Sequence, residues 1–225
     1  MPELKLFVAP NSCARVPTIA LEEIGVPFDT QLVRTLAGEQ NTPEFLAVNP
    51  KGKVPTLMID GHPLTENVAI LTWLNDTYPE ANLMPKTTDS FEKILQISDL
   101  SFFSATVHPN VTRISMPMKL MADKELAIKT VRPFAMKDMH KIMKMIEARL
   151  ENGPWWYGDT WSAVDGYLYW VCSRVMSGGF PLNEYANLSR HFDMSNERPA
   201  VQRAMAREAV NIEILKSEGL IKAPA

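Results

Sequence analysis

A cysteine near the N-terminus is the residue best placed for nucleophilic chemistry. Cys13 stands where a helix is predicted to begin, directly after the loop Ala9-Pro10-Asn11-Ser12. Unpaired N–H groups at a helix start stabilise a thiolate, so this position predicts a lowered thiol pKa. A buried, inert thiol is the alternative, because free cysteines are among the most buried residues. Val16 stands three positions later, so the Cys-x-x-Cys spacing of dithiol oxidoreductases is not met.

Two dipeptides farther along the chain could hold a small peptide. Pro55 cannot donate a ladder hydrogen bond and belongs at a strand edge or a bend. A cis Val54–Pro55 bond would turn the N–H and C=O of Val54 outward, toward an extended peptide. Glu66 and Asn67 stand at a predicted helix start, where unpaired N–H groups favour an anion. Together they predict a holder for a peptide with a free carboxylate; a hairpin, a turn and an N-cap without a ligand are the alternative.

The first 79 residues carry strand and helix patterns in the order β-α-β-α-β-β-α. Short alternating apolar runs predict strands, and three- and four-residue apolar spacings predict helices. Asp60-Gly61 predicts a two-residue hairpin turn. The order describes a thioredoxin-like sheet with one parallel crossover and one antiparallel hairpin. The predicted strands are 4–8, 28–33, 56–59 and 62–64, and the predicted helices are 13–24, a short helix capped by Thr42, and one that begins at 65–67.

The remainder of the chain predicts an all-α domain, so the fold class is α/β plus all-α. A proline-bearing linker, 80–87, separates the first domain, 1–79, from the helical domain, 88–225. Ser162-x-x-Asp165 before an apolar run is a capping box, and the run itself, 167–176, is expected to form the central buried helix. About five helices are predicted, including 91–107, 123–150 and one from Arg198, divided or kinked by Pro109, Pro117 and Pro133.

The composition excludes several classes of function. The 225 residues are 46% hydrophobic and 22% charged, and the net charge of −3 predicts no nucleic-acid or anionic-membrane surface. No apolar run reaches the roughly 18 residues of a membrane span. The N-terminus lacks the apolar region of a signal peptide. Cys13 and Cys172 lack metal-ligand spacing and are expected to be free thiols in a reducing cytoplasm.

The motif Asn-Pro-x-Gly-x-Val-Pro at 49–55, followed by a hairpin and Thr-Glu-Asn-x-Ala-Ile at 65–70, resembles the glutathione-binding half of cytosolic glutathione S-transferases. The Ser-x-x-Asp box and Glu-Arg-Pro-Ala-Val at 197–201 extend the resemblance to nearly the whole chain. It is greatest to bacterial beta-class-like members, which carry a cysteine just after strand one. The resemblance implies a cytoplasmic homodimer that uses glutathione as co-substrate, without a metal.

The resemblance also implies which residues meet the glutathione sulfur. Cys13 matches the cysteine that contacts this sulfur and can form a mixed disulfide with it. Ser12 is the rival, because a serine hydroxyl activates the thiol in several other classes, and Asn11 is a third possible donor. The sequence does not rank these candidates.

The peptide of glutathione is expected to lie along the second group of residues. By resemblance, Val54 beside a cis Pro55 pairs with the cysteinyl backbone. Glu66 would bind the γ-glutamyl ammonium and Asn67 the γ-glutamyl carboxylate, with simple helix capping as the alternative. Lys53 matches a position that often contacts the glycyl carboxylate, although a solvated lysine explains it nearly as well.

A pocket for the second substrate is implied in the helical domain. His108 matches a pocket histidine of beta-class relatives, but a lysine that often follows is replaced by Pro109, and a structural histidine is the alternative. In family dimers the partner subunit completes the site, and Asp99 or Ser101 could do so here. The other pocket candidates, which helix packing explains equally well, are Phe103, Arg113, Met116, Met118, Trp170 and Arg174.

Three functions fit these residues. The first is an enzyme that activates the glutathione thiolate to attack a small hydrophobic electrophile, as in detoxification. The second is a glutathione-dependent reductase, thioether-cleaving or dehalogenating enzyme that uses Cys13 through a mixed disulfide. The third is a binding protein of the same fold without catalytic activity.

Overall fold

The structure, a computed structural model, describes residues 1–221, which divide into two units. One unit comprises Met1–Leu83 together with the chain from Arg198 onward, and the other comprises Met84–Glu197. The predicted domains, 1–79 and 88–225, are continuous stretches of the chain, whereas the two units are defined by contacts and the first of them includes the chain from Arg198. The predicted boundaries therefore stay a prediction. The end of the predicted helical domain, 222–225, lies outside the described residues.

The sheet of the first unit has the topology predicted from the sequence, and the thioredoxin-like fold class is confirmed. Its strands are β1 (Leu4–Val8), β2 (Asp29–Leu32), β3 (Thr56–Ile59) and β4 (His62–Thr65). Their order is β2-β1-β3-β4. β1 pairs with β2 in parallel, and the other two pairings are antiparallel. Leu4, Leu6 and Val8 are buried because alternate side chains of β1 face the core.

Four α-helices of the described residues belong to the first unit. They are α1 (Arg15–Ile24), α2 (Pro43–Val48), α3 (Asn67–Thr77) and, from the end of the chain, α9 (Pro199–Ser217). Gly25 ends α1 in the left-handed region, with φ 76°. Thr42 caps α2 and Pro43 is its first residue, as predicted. The predicted first helix begins two residues early, so Cys13 lies in the turn before α1.

The second unit is mainly helical, with isolated β-bridges between Trp155 and Gly158 and between Tyr157 and Thr160. Its α-helices are α4 (Ser90–Ser101), α5 (His108–Ser115), α6 (Lys124–Arg149), α7 (Ala163–Ser177) and α8 (Ala186–Glu197). A π-helical segment, Phe102–Val107, joins α4 to α5. With α9, the described part of the predicted helical domain therefore has six α-helices rather than about five.

The prolines act differently from one another. Pro109 is in the first turn of α5, where a missing N–H is tolerated, and it does not end the helical path. Pro133 lies inside α6, which continues past it. Of the three, only Pro117 stands between two α-helices, in the described connection from α5 to α6. The helical path is therefore not divided at Pro109 or Pro133, and the predicted division is wrong at these two prolines.

The capping box and the central helix are confirmed. Asp165 accepts hydrogen bonds from the N–H and Oγ of Ser162, both at 2.8 Å, and from the N–H of Trp156 at 2.7 Å. His191 lies 3.0 Å from the same carboxylate. Most of α7 is buried, as its apolar run predicts. Across residues 1–221, no helix has the length and apolarity needed to cross a membrane.

Candidate active site

The loop between β1 and α1 positions Ser12 and Cys13 differently. The Ser12 hydroxyl donates to the carbonyl of Ala9 at 2.6 Å and accepts from the N–H of Ala14 at 3.2 Å. Its proton is therefore used within its own loop. The Cys13 Sγ donates instead toward the carbonyl of Val54 at 3.7 Å. Of the two rivals, Cys13 is directed to the segment predicted to hold the peptide.

Burial controls the ionisation of Cys13. The residue is partly exposed, yet desolvation of its sulfur raises the pKa of the thiol to about 12. Its backbone N–H and Asn67 lower the pKa, Glu66 raises it and Lys53 lowers it, all by less than burial does. The prediction of a lowered pKa is wrong for this structure. The helix begins at Arg15, after the cysteine, and desolvation outweighs the helix start.

The peptide-holding segment is organised by Asn49. This buried side chain donates through Nδ2 to the carbonyl of Lys53 at 2.7 Å and to Oγ1 of Thr56 at 3.1 Å. The Val54–Pro55 bond that follows is cis. Within residues 1–221, the N–H of Val54 has no hydrogen-bond acceptor, so it is available to an extended peptide. The sequence predicted no role for Asn49 beyond its place in the 49–55 motif.

Glu66 and Asn67 do not act as ordinary helix caps. Glu66 is the N-cap residue of α3, and its φ is 73°. Its side chain makes no capping hydrogen bond with the described residues. A non-glycine residue in this region is strained, and such strain often accompanies function. The Glu66 carboxylate is 66% exposed and accepts from Nζ of Lys51 at 2.6 Å. Simple capping does not account for either side chain.

Asn67 joins α3 to the cysteine loop. Its Nδ2 donates to the backbone carbonyl of Cys13 at 3.2 Å. Its Oδ1 is buried and has no partner among residues 1–221. Together with the bond from Cys13 to Val54, this contact brings three predicted segments to one place. A thiol, an open backbone N–H, a helix start and an exposed carboxylate thus lie together in the first unit.

Arg15 and Glu208 are further residues of this region that the sequence did not predict. The N–H of Asn11, whose φ is 61°, donates to Oε1 of Glu208 at 3.0 Å. Arg15 donates to the same carboxylate through Nε at 3.0 Å and Nη2 at 2.6 Å. These partners lie 193 positions apart in the chain. The sequence indicates this pair only in that each of the two helices carries a charged residue, Arg15 or Glu208, on its inward face.

In the second unit, His108 belongs to an aromatic cluster. Its Nδ1 lies 3.0 Å from the hydroxyl of Tyr167, and its ring lies 4.5 Å from that of Trp170. Phe103 is fully buried and packs edge-on to Trp156 at 5.1 Å. These contacts give His108, Phe103 and Trp170 a packing role. The other pocket candidates are exposed or half-buried: Arg113, Met116, Met118 and Arg174.

The two candidates for a partner-subunit contact differ in their bonding. Asp99 accepts hydrogen bonds from Nε1 of Trp156 at 2.9 Å and from the hydroxyl of Tyr157 at 2.7 Å. Burial, followed by this bond to Asp99, raises the pKa of Tyr157. Ser101 ends α4, and its carbonyl accepts from Oγ of Ser104 at 3.2 Å. Asp99 therefore already binds within its own unit, and the predicted contact of either residue with a partner stays a prediction.

Known proteins resemble the chain over most of its length. The model for the glutathione S-transferase N-terminal domain matches residues 12–77, and that for the C-terminal domain matches 112–208. Glutathione S-transferase GstA of Escherichia coli O157:H7 is 27% identical across 92% of this chain and all of that protein. The structure of a glutathione transferase from Methylococcus capsulatus str. Bath has a TM-score of 0.80 and 33% identity, covering 92% of this chain and 99% of that one. A sphingomonad glutathione S-transferase complexed with glutathione has a TM-score of 0.78 and 30% identity, covering 91% and 98%.

Proposed function

The chain belongs to the glutathione S-transferase family and is a glutathione transferase, and we propose that it is a beta-class-like member that conjugates glutathione to small hydrophobic electrophiles. The observation that carries this proposal is the convergence of Val54 and Asn67 on Cys13. A peptide laid along Val54 would place its own sulfur beside this thiol.

Each part of glutathione has a matching group. The open N–H of Val54 would pair with the cysteinyl carbonyl, beside Pro55. Glu66, exposed and strained, would bind the γ-glutamyl ammonium. The γ-glutamyl carboxylate would lie at the N-terminus of α3, which begins at Asn67, where N–H groups lack helical partners. Lys53 supplies a positive charge near Cys13 and remains the candidate for the glycyl carboxylate.

The pKa of Cys13 favours conjugation over a mixed disulfide. A thiol with a pKa of about 12 stays protonated at neutral pH and is a poor nucleophile, because the thiolate is the reactive form. It is instead a hydrogen-bond donor. Glutathione would lose its thiol proton to solvent, and Cys13 would donate a hydrogen bond to the resulting thiolate. This thiolate would attack the electrophilic carbon, and the new C–S bond would form as the leaving group departs with its electron pair.

Two variants separate conjugation from reductive chemistry. Cys13→Ala should keep conjugation with a chlorodinitrobenzene probe while raising the pKa of bound glutathione, because a charge-assisted donor worth about 1.5–3 kcal/mol is lost. Ser12→Ala should change that pKa less, because the Ser12 proton binds Ala9. Complete loss of activity in Cys13→Ala alone would favour the mixed-disulfide route. No retention on immobilised glutathione, and no thermal shift with millimolar glutathione, would contradict both routes and favour a non-catalytic binding protein.

The assembly and surroundings of the enzyme are part of the proposal. Several apolar side chains on α4 are exposed, and a partner subunit in a homodimer would cover them; they are Phe91, Ile94, Leu95 and Ile97. We propose a cytoplasmic homodimer, in which Asp99 or Ser101 could reach the partner's glutathione. The electrophile would be received by the exposed or half-buried second-unit candidates, whereas Phe103 and Trp170 are buried and support them by packing. The proposal includes no metal, nucleic-acid or membrane partner.

A further inference from the structure

We propose that Glu208 of α9 is a positioning residue that holds the loop Asn11–Cys13 in place for glutathione chemistry. It touches neither the proposed substrate position nor the sulfur, and acts through the backbone of Asn11. The loop's own role rests on the proposed function, whereas the anchoring of the loop by Glu208 does not. The two parts are therefore tested separately.

The anchor is a buried carboxylate with three donors. Oε1 accepts from the N–H of Asn11 at 3.0 Å and from Nη2 of Arg15 at 2.6 Å, and Oε2 accepts from Nε of Arg15 at 3.0 Å. The side chains of Arg15 and Glu208 are only 4% and 9% exposed. A bidentate arginine–carboxylate pair of this kind fixes the position and the orientation of the carboxylate. Its remaining acceptor capacity on Oε1 is directed at one backbone group of the loop.

The loop needs an external anchor because of its backbone. Asn11 is in the left-handed region, with φ 61°, which asparagine tolerates but does not adopt freely. Ser12 and Cys13 follow immediately in the turn before α1, where their carbonyls accept from the N–H groups of Arg15 at 3.2 Å and Val16 at 3.1 Å. A shift of the Asn11 peptide would therefore pass directly to the Cys13 sulfur and to its 3.7 Å contact with Val54.

The same two helices offer a matched control. Glu22 of α1 accepts from Nε of Arg203 at 2.7 Å and from Nε of Arg207 at 2.6 Å, both on α9. Its side chain is 8% exposed, close to the 9% of Glu208. Among the described contacts, Glu22 has none with the loop Asn11–Cys13. It therefore shares the helix-joining role of Glu208 and lacks the loop contact.

The first test measures Cys13 without glutathione. Wild type, Glu208→Gln and Glu22→Gln are alkylated with iodoacetamide between about pH 7 and pH 10, and the peptide that contains Cys13 is followed by mass spectrometry. Glu66 and Lys53 are the charged groups near the sulfur, and neither variant alters them. We expect Glu208→Gln to react about tenfold faster near pH 8, because a loosened loop admits water and lowers the thiol pKa toward its ordinary value. Glu22→Gln is expected to react as the wild type does.

The second test measures the enzyme with glutathione. We expect Glu208→Gln to lower kcat/KM for glutathione about tenfold. Glu22→Gln is expected to keep the wild-type kcat/KM, although its melting temperature falls about as much as that of Glu208→Gln. Equal changes in both variants, or unchanged Cys13 alkylation in Glu208→Gln, would overturn the proposal. If wild type fails to bind glutathione, the proposed function fails, and the alkylation result still decides the role of Glu208. Should Glu208→Gln not fold, Glu208→Asp, which keeps the charge and shortens its reach, is measured by the same criteria.

Discussion

Replacement of Lys51 by methionine should sharpen the recognition of the glutathione ammonium. Nζ of Lys51 lies 2.6 Å from Oε1 of Glu66 and 2.9 Å from Oγ1 of Thr65. Lys51 thus stands where the proposed γ-glutamyl ammonium would bind. A ligand ammonium must either displace Lys51 or share the Glu66 carboxylate with it.

The size of the effect follows from exposure. The side chains of Lys51 and Glu66 are 50% and 66% exposed, so solvent screens their attraction. An exposed pair of this kind contributes about 0.2–1 kcal/mol. Two ammonium groups about 4 Å apart repel by about 1 kcal/mol in water. Removal of Lys51 should therefore favour the ligand ammonium by about 1 kcal/mol, which is about a fivefold change in affinity.

Calorimetric titration with two ligands isolates this effect. Glutathione and its analogue without the amino group carry the same carboxylates, so their affinity ratio reports only the ammonium. We expect this ratio to rise about fivefold in Lys51→Met, less at high salt, and to stay unchanged in Lys51→Arg. A ratio that is unchanged or lower in Lys51→Met would refute the reasoning, because it would mean that Glu66 does not bind the ammonium in competition with Lys51.

Three further predictions concern stability, assembly and ionisation. Asp165→Asn should lower the free energy of unfolding by about 3–5 kcal/mol, since it disrupts a buried carboxylate with four partners; denaturant titration checks this, with exposed Asp193→Asn as the control. For the proposed homodimer, Phe91→Glu should shift the sedimenting species from dimer to monomer, and a dimer that is unchanged from the wild type would exclude the α4 face from the interface. Without glutathione, Cys13 alkylation should rise about tenfold per pH unit up to about pH 11, because the thiol stays protonated until its raised pKa is approached; a plateau near pH 9 would contradict that pKa.

Local patterns in the sequence predicted much of the fold. The strands Leu4–Val8 and Thr56–Ile59 match their alternating runs, and Thr42 and Ser162 begin helices as their capping patterns indicate. The π-helical segment before His108 was not predicted, because its register depends on packing rather than on local spacing. Local signals describe where an element begins, and they carry little information on how it continues through a proline.

The sequence likewise predicted some of the active-site contacts and missed others. The sequence placed Cys13, Val54 and Asn67 in a single site through a family resemblance, and the structure joins them by hydrogen bonds. The anchor formed by Arg15 and Glu208 joins residues 193 positions apart, so no local pattern reveals it. Such a pair is recognisable only when the fold brings α9 against α1.

The reaction type depends on which of two effects controls the Cys13 sulfur. A helix start stabilises a nearby thiolate by about 0.3–1 kcal/mol, which is less than one pKa unit at 1.36 kcal/mol per unit. Desolvation acts in the opposite direction and leaves the pKa at about 12 instead of the ordinary 9.0. Because the larger effect keeps the proton on sulfur, Cys13 is suited to donate to a neighbouring thiolate rather than to attack. On the proposal that Glu208 holds the loop Asn11–Cys13 in place, a loop that opened to water would reduce this desolvation and give Cys13 the reactivity of a nucleophile.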